Sequence, residues 1–548
     1  MILAILIPLT ATAQTCIYNV KTAYNAMGDG VTDDTAAVQN AIAAAAAAAP
    51  CAVYFPTGTY QIGKTTVNGT SKDKNFTVPQ GVSMWGDGAS LSVLNWTATS
   101  YSGGFFSFKG SHHYVHDLTF NGNRSGNSVG TNTVGFGNYS CSPGVGYASF
   151  DGGLGLGASV TAGYSSITVS STSCGATTVG PSDYITLYNG TNYETVQVSS
   201  SYTYGATSTT IPLVTRTVYS YPNSSSTAIV KATDITVSHT TVYGAAKNDG
   251  IYLWSVVGAV ISDNLVEGCL DTCIDMPEGG DTNVTITGNT IITNGRFGIA
   301  EDSEVALAGV GQGAVVSHNN IYLVNETIAG VASSGDIRFG ITIDHFDDVS
   351  IVDNMIDVSG ACIQNMDDIA ATGYSDGKLE GHNWTISNNK IVGNAAVCST
   401  FANNPGIVSG AANHAADGFN YNWDTTSAGT ASSGEYNPAW ITVTGNTISN
   451  VYDGVELGHA PNAVVSSNSI SGFTDDGVFI ESNGYLTQNV YAIGNSLSGS
   501  GAAYGIYAEN SEKPASGSGI TDTIVVWNNT PSGVTKNYSI GSYWTEIQ

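Results

Sequence analysis

The chain has 548 residues, only 11% of them charged, and a formal net charge of −28 with 15 Lys and Arg. Such acidity with so few cations excludes nucleic-acid binding and docking on anionic membranes as expected roles. Beyond the first residues no apolar run reaches the roughly 18 needed to span a membrane, and 548 residues exceed one compact core but suit a repeat that grows by stacking.

Residues 1–13, Met-Ile-Leu-Ala-Ile-Leu-Ile-Pro-Leu-Thr-Ala-Thr-Ala, are an apolar run ending in Ala-x-Ala. They read as the end of a signal peptide cleaved after Ala13, without the usual basic leader, and they predict a secreted protein. Eight Cys fit an oxidising compartment, with Cys16–Cys51, Cys141–Cys174 and Cys362–Cys398 as local pairs whose connectivity spacing does not decide.

Residues 14–157 form the first predicted unit, a cap and the first coils. Met27-Gly28-Asp29-Gly30-Val31-Thr32-Asp33-Asp34-Thr35 precedes an Ala-rich run to Ala49. This spacing predicts a helix capped by Thr32 or Asp33 and stopped by Pro50. Val53 to Tyr60 then reads as strand and turn. The phrase resembles the opening of the pectate-lyase superfamily of right-handed parallel β-helices, to which polygalacturonases belong. The resemblance implies that the helix covers the open end of a coil, where strand edges are otherwise exposed. Trp85-Gly86-Asp87-Gly88 and Leu118-Thr119-Phe120-Asn121 read as first coils, and His112-His113-x-x-His116 as a polar strand rather than a metal site.

Residues 158–230 alternate Ser and Thr with Val, Ile and Tyr, and predict a small inserted β-domain with hairpin strands at Ile185–Tyr188 and Glu194–Val198. Residues 231–548 predict the main helix. There a small-Asn-x-Ile/Leu phrase recurs at Asn264, Asn289, Asn319, Asn354, Asn389, Asn446, Asn468 and Asn495, at intervals of 25, 30, 35, 35, 57, 22 and 27 residues. A short period with variable insertions marks a solenoid. The expected fold class is all-β: a right-handed parallel β-helix with an N-terminal capping helix and a small inserted β-domain. Stacked Asn amides read as a structural ladder without chemistry of their own.

Each coil also carries a Gly/Cys-Ile/Val/Phe-x strand, as in Gly250-Ile251-Tyr252, Cys273-Ile274-Asp275, Gly298-Ile299-Ala300, Gly340-Ile341-Thr342, Cys362-Ile363-Gln364 and Gly454-Val455-Glu456. The residue after Gly is apolar and points inward, so the next points outward, and outward residues of neighbouring coils stack about 4.8 Å apart. Asp302 and Asp344 share one slot in consecutive coils, and Asp275 lies one outward position earlier in the coil before. Arg296 and Arg338 share the slot two residues before Gly, which Asp271 fills in the preceding coil. Three carboxylates beside two guanidiniums, in a chain this poor in charge, mark a site.

Paired carboxylates break glycosidic bonds, one protonating the leaving oxygen and the other activating water or attacking carbon. Asp275, Asp302 and Asp344 are therefore the predicted catalytic residues of a polysaccharide hydrolase. Arg296, Arg338, Asp271, Lys247, His345, Trp254 and Gln364 are the predicted substrate-binding residues. Spacings of about 5 Å between neighbouring coils and twice that across a skipped coil leave retention and inversion both open. Asn248-Asp249-Gly250 looks like the Asn-Thr-Asp-Gly phrase of polygalacturonases, and Asp271-Thr272-Cys273 is similar to their Asp-Asp-Cys, with Thr272 replacing the second Asp. Their Gly-His-Gly phrase is missing where Arg296-Phe297-Gly298 stands. A uronate lyase is the alternative, with Lys247, Arg296 or Arg338 as base and with calcium held by Asp344-His345-Phe346-Asp347-Asp348 or Asp367-Asp368. A non-catalytic carbohydrate-binding fibre or spike is the other. No metal site is assigned and the expected partner is a polysaccharide.

Overall fold

The computed structural model describes residues 16–67, 70–73, 75–97, 105–123, 133–137, 155–170, 173–174, 177–189, 192–202, 209–244, 249–269, 271–276, 281–293, 295, 297–301, 311–324, 338–343, 346–360, 366–373, 383–393, 420–423, 440–458, 462–481, 489–508, 522–541 and 544–547. Each turn of the chain adds one strand to each of three parallel faces. The first face is a 15-stranded sheet in which Ile235–Ser238, Val260–Ser262, Thr285–Thr287 and Val315–Ser317 follow one another. The second carries Leu265–Glu267, Thr290–Thr293 and Asn320–Val324, and the third Ile251–Trp254, Thr272–Asp275 and Phe297–Glu301. Pairing between coils is parallel on all three faces. Inward Val, Ile and Leu form one apolar core from Val20 to Val526. This is a parallel β-helix, and the period-2 strands with β-branched interiors specify it.

The corner between the first and second faces explains the recurring phrase. Its small residue sits in the left-handed region: Asp263, Gly288, His318, Asp353, Asn388, Gly445, Ser467 and Gly494 all have φ between 55° and 68°. Gly enters this region freely, and Asn and Asp are the side chains that tolerate it best. The next residue is the buried Asn. In Asn319, Nδ2 donates to Ile286 O at 2.9 Å and to Asn354 Oδ1 at 3.0 Å, and the backbone amide donates to the same oxygen at 3.0 Å. Each Asn from Asn264 to Asn495 repeats this on the next, ending at Asn529. The amide oxygen takes two donors and the amide nitrogen gives two hydrogens, so every rung is satisfied.

A second corner precedes the third face, and there the simple alternation breaks. A Cβ on Gly250 would lie 2.7 Å from Val266 Cγ1 and from Cys273 O, and one on Gly298 would lie 2.7 Å from Ile321 Cγ2 and 2.5 Å from Gly340 O. Gly and the following Ile or Val both face the core, so the Gly is required by close approach. Cys273 takes this slot in one coil and fills it with a disulfide to Cys269, four residues away, which the sequence did not flag. Cys16–Cys51 forms as expected between paired residues of neighbouring strands. Cys141, Cys362 and Cys398 lie outside the described residues.

Helix Thr35–Ala47 closes the first coil, burying Val38, Ala41, Ile42 and Ala45, one stripe at helical spacing. Its N-cap is Asp34, not Thr32 or Asp33. Asp34 spends its carboxylate on the amides of Met27 at 2.7 Å and Gly28 at 3.0 Å, holding the preceding turn, while Asp33 Oδ1 accepts from Thr35 N at 3.0 Å. The three His of the 112–116 segment diverge. His113 is buried between Val82 O and Lys109 O, His112 meets Asp234 and His116 meets Asp117.

Between coils, Tyr184–Tyr188 pairs antiparallel with Tyr193–Gln197 and with Thr227–Thr233. These strands share a separate core that includes Ile185, Val196, Ile211, Tyr221 and Val230.

Candidate functional site

On the third face, backbone register sets an outward column. Tyr252 pairs with Asp275, Asp275 with Ala300, Ala300 with Thr342, and Thr342 with Ala370. It continues through Asn420, Glu456, Phe479 and Tyr507. Asp275 therefore stands where the sequence placed it. It is only 8% exposed although it points away from the core. A carboxylate held this way exchanges little with bulk water, which strengthens its electrostatic interactions.

The aromatic side chain beside Asp275 comes from the preceding coil. Tyr252 is half-buried and stacks on Trp254, ring centroids 5.8 Å apart and planes 26° apart. Trp254 is itself buried, so Tyr252 is the ring of this pair that reaches the surface beside the shielded carboxylate.

Asp271 is half-exposed, four residues before Asp275. Its neighbour Asp249 is buried. Burial, and then the negative charge of Asp271, push Asp249 up to about 7, against the Thr272 amide that donates to Asp249 Oδ1 at 3.2 Å. Asp453 repeats this role farther along: its Oδ1 accepts from Asp476 N at 2.7 Å. Asp249 thus belongs to the wall of the coil, behind Asp271. Near Asp453, the carboxylate oxygens of Asp453, Asp475 and Asp476 come within 4.8 Å of one another, and Asp475 Oδ2 accepts from Tyr452 OH at 2.7 Å.

Of the predicted residues, the structure brings Asp275, Asp271 and Trp254 into one neighbourhood on the third face. Asp302, Asp344, Arg296, Lys247, His345 and Gln364 lie outside the described residues, and Arg338 is described in its backbone alone, opposite Met366. The column corrects one alignment. Ile341 pairs with Ile369 and Thr342 with Ala370, so Asp368-Ile369-Ala370 takes the slot given to Cys362-Ile363-Gln364. Asp367 and Asp368 accordingly sit in strand Met366–Gly373. The longer insertion before this coil shifts the phrase, and two Cys-Ile or Asp-Ile pairs six residues apart are indistinguishable by pattern. Glu456 was missed. It follows Gly454-Val455 as Asp275 follows Cys273-Ile274, and it is 1% exposed in the same outward column.

Residues 17–106 match the model of the family described as rhamnogalacturonase A/epimerase, pectate lyase-like. The mannuronan C5-epimerase AlgE1 of Azotobacter vinelandii is 37% identical over 113 residues, 20% of this chain and 8% of that protein. AlgE2 of the same organism is 36% identical over 117 residues, 20% of this chain and 11% of the relative. The chain thus spans about a tenth of the length of these curated relatives. Among solved structures, the A-module of the A. vinelandii mannuronan C-5 epimerase AlgE4 aligns at TM-score 0.47 and 16% identity, covering 97% of this chain and 100% of the module. The Dettilon tailspike protein aligns at 0.48 and 12%, covering 95% and 68%. The chain folds as a parallel β-helix with its strands stacked in three parallel faces, and its cap-and-first-coil segment, residues 17–106, is similar to the pectate-lyase-like family.

Proposed function

We propose that this protein is a polysaccharide-processing enzyme that binds its substrate along the third face and reacts with it at Asp275. One observation carries the reading: the register places the shielded Asp275 directly beside the Tyr252–Trp254 stack, with Asp271 on the same strand edge. The first reading of the chemistry is glycoside hydrolysis. Asp275, with Asp302 and Asp344 in the following coils, supplies proton donor and base or nucleophile. Arg296 and Arg338, with Asp271, Lys247 and His345, hold an acidic or hydroxyl-rich sugar. The apolar leader at residues 1–13 and the Cys content support work outside the cell.

A second reading, chemistry at C5 of a uronate, is favoured by the relatives named mannuronan C5-epimerases. In that reading the cations neutralise the uronate carboxylate, with calcium assisting if Asp344, Asp347 and Asp348 or Asp367 and Asp368 bind it.

Incubation with polymannuronate, polygalacturonate and neutral glucans, in water and in deuterium oxide, with and without chelator, separates the readings. New reducing ends without unsaturated sugars support hydrolysis. Deuterium at C5 or unsaturated uronate transfers the site to the second reading. No product on any glycan removes the enzyme reading.

A further inference from the structure

The second corner of the Asp275 coil is built unlike those beside it. In the neighbouring coils the slot that opens the third face is Gly250 or Gly298, where a Cβ would collide with the backbone of the next coil. In the Asp275 coil the slot is Cys273, and its disulfide to Cys269 closes residues 269–273 into a small ring. Both Cys are fully buried, and Cys269 Sγ would lie 3.1 Å from a Cβ on Gly250. Among the described residues no other coil crosslinks this corner. Asp271 is the middle residue of the ring, and Asp275 lies two residues beyond Cys273 on the strand that leaves it.

Hydrogen bonds fasten the ring to the coils on either side. Toward the next coil, Thr293 Oγ1 donates to Cys269 O at 2.9 Å and accepts from Gly295 N at 2.8 Å, and Phe297 N donates to Asp271 O at 3.0 Å. Toward the preceding coil, Gly250 N donates to Thr272 O at 3.0 Å and Thr272 N donates to Asp249 Oδ1 at 3.2 Å. The backbone around Asp271 is therefore fixed, while its side chain is half-exposed. Closing so short a loop constrains the unfolded chain little, so the crosslink acts mainly on local geometry. The need for it is electrostatic. Asp271 stands beside buried Asp249, and its charge disfavours ionisation of that group. When both are ionised, repulsion drives the exposed carboxylate outward unless its backbone is held.

We propose that the Cys269–Cys273 disulfide is a positioning element of the candidate site: it fixes Asp271 at the strand edge where, beside Asp275, its carboxylate accepts from the hydroxyls of a sugar ring. The proposal rests on the reading of Asp275 and Asp271 as one polysaccharide site. Asp275 is held by parallel pairing of its strand with the strands before and after it. Asp271 lies just outside that pairing and depends on the corner. Loss of the crosslink therefore weakens sugar binding at Asp271 and leaves the reacting group in place.

The test compares wild type, Cys269→Ala/Cys273→Gly, Asp271→Asn and the combination of all three substitutions. Gly at position 273 gives this coil the corner residue of Gly250 and Gly298. If that variant fails to fold, Cys269→Ser, which keeps Cys273 in its slot, replaces it. Peptide mapping reads the link, a melting curve reports folding, and turnover of polymannuronate, polygalacturonate and neutral glucans gives KM and kcat. Expected are a linked pair in wild type and a KM about five-fold higher without the link, at unchanged kcat. In the Asp271→Asn background, removing the link changes KM no further, because a crosslink that acts through Asp271 has nothing left to position. A KM untouched by loss of the link, an equal rise in both backgrounds, or free thiols at both positions in wild type overturns the proposal. Wild type that turns over no glycan removes the enzymatic reading instead, and the corner is then judged by the pH dependence of melting. A shallower fall between about pH 4 and pH 7 without the crosslink, from an Asp249 no longer faced by a fixed Asp271, upholds the positioning, and an unchanged fall overturns it.

Discussion

The Asn corner and the outward column of the third face recur in every coil of the main helix with opposite content. At the corner, Asn264, Asn289, Asn319 and Asn354 repeat one residue and one set of hydrogen bonds. Along the column, Tyr252, Asp275, Ala300 and Thr342 differ at each step while the backbone register stays fixed. The corner solves a problem common to all coils, the burial of backbone polar groups at a sharp turn. The column faces outward, where no shared packing demand exists, so each coil is free to carry a different side chain. Stability is concentrated where the sequence is monotonous, and the proposed chemistry lies where it varies.

Substitutions on the two regions sharpen this contrast. Asn354→Ala is expected to act most strongly on stability. It leaves the amide and Nδ2 of Asn319 without an acceptor and Val316 O without its donor. Loss of about 4 kcal/mol by urea titration is expected, since each unsatisfied buried group costs about 1–3 kcal/mol. Gly454→Ala is next, because a Cβ there meets Gly477 O and Ile470. An overpacked corner of this kind loses about 2 kcal/mol. Tyr252→Ala, on the column, reverses the pattern: stability changes by less than about 1 kcal/mol while affinity for the substrate polymer falls about ten-fold. A large stability loss there, or a small one at Asn354, breaks the contrast.

Asp249, in the wall of the coil behind Asp271, adds an effect that depends on pH. Its folded-state pKa is raised from 3.8 to about 7 by burial and then by Asp271. The folded protein therefore holds this proton more tightly than the unfolded chain. Its contribution to stability is fully present below about pH 4 and is lost as pH rises toward 7. Asp249→Asn should flatten this part of the melting-temperature profile between pH 4 and pH 7, and an unchanged slope would assign it to other groups.

Much of this architecture was readable because its causes are local. A left-handed corner demands Gly, Asn or Asp, and the buried rung demands an amide with both donors and an acceptor, so Asp263-Asn264 and Gly288-Asn289 declare themselves. The column was readable wherever Gly-Ile or Cys-Ile fixed its phase, which placed Asp275 correctly beside Tyr252. It was misread at Cys362-Ile363, where insertion length and not pattern sets the phase and Asp368-Ile369 competes equally. Burial at the site was not readable at all. Asp275 and Glu456 are outward by alternation yet nearly inaccessible, and Asp249 is shaped by a residue in the next coil, 22 positions later in sequence. Such shielding depends on what neighbouring coils place alongside, which periodicity does not report. The Cys269–Cys273 link was missed for the same reason, since Cys273 reads as a substitute for Gly until Cys269 is seen beside it.

Asp275→Asn, assayed on polymannuronate, polygalacturonate and neutral glucans beside a melting curve of the same sample, tests the central claim most directly. The account predicts at least a hundred-fold loss of product with the melting temperature held. Full activity in the Asn variant would contradict it and move the reacting centre away from the column that Tyr252 and Asp275 share.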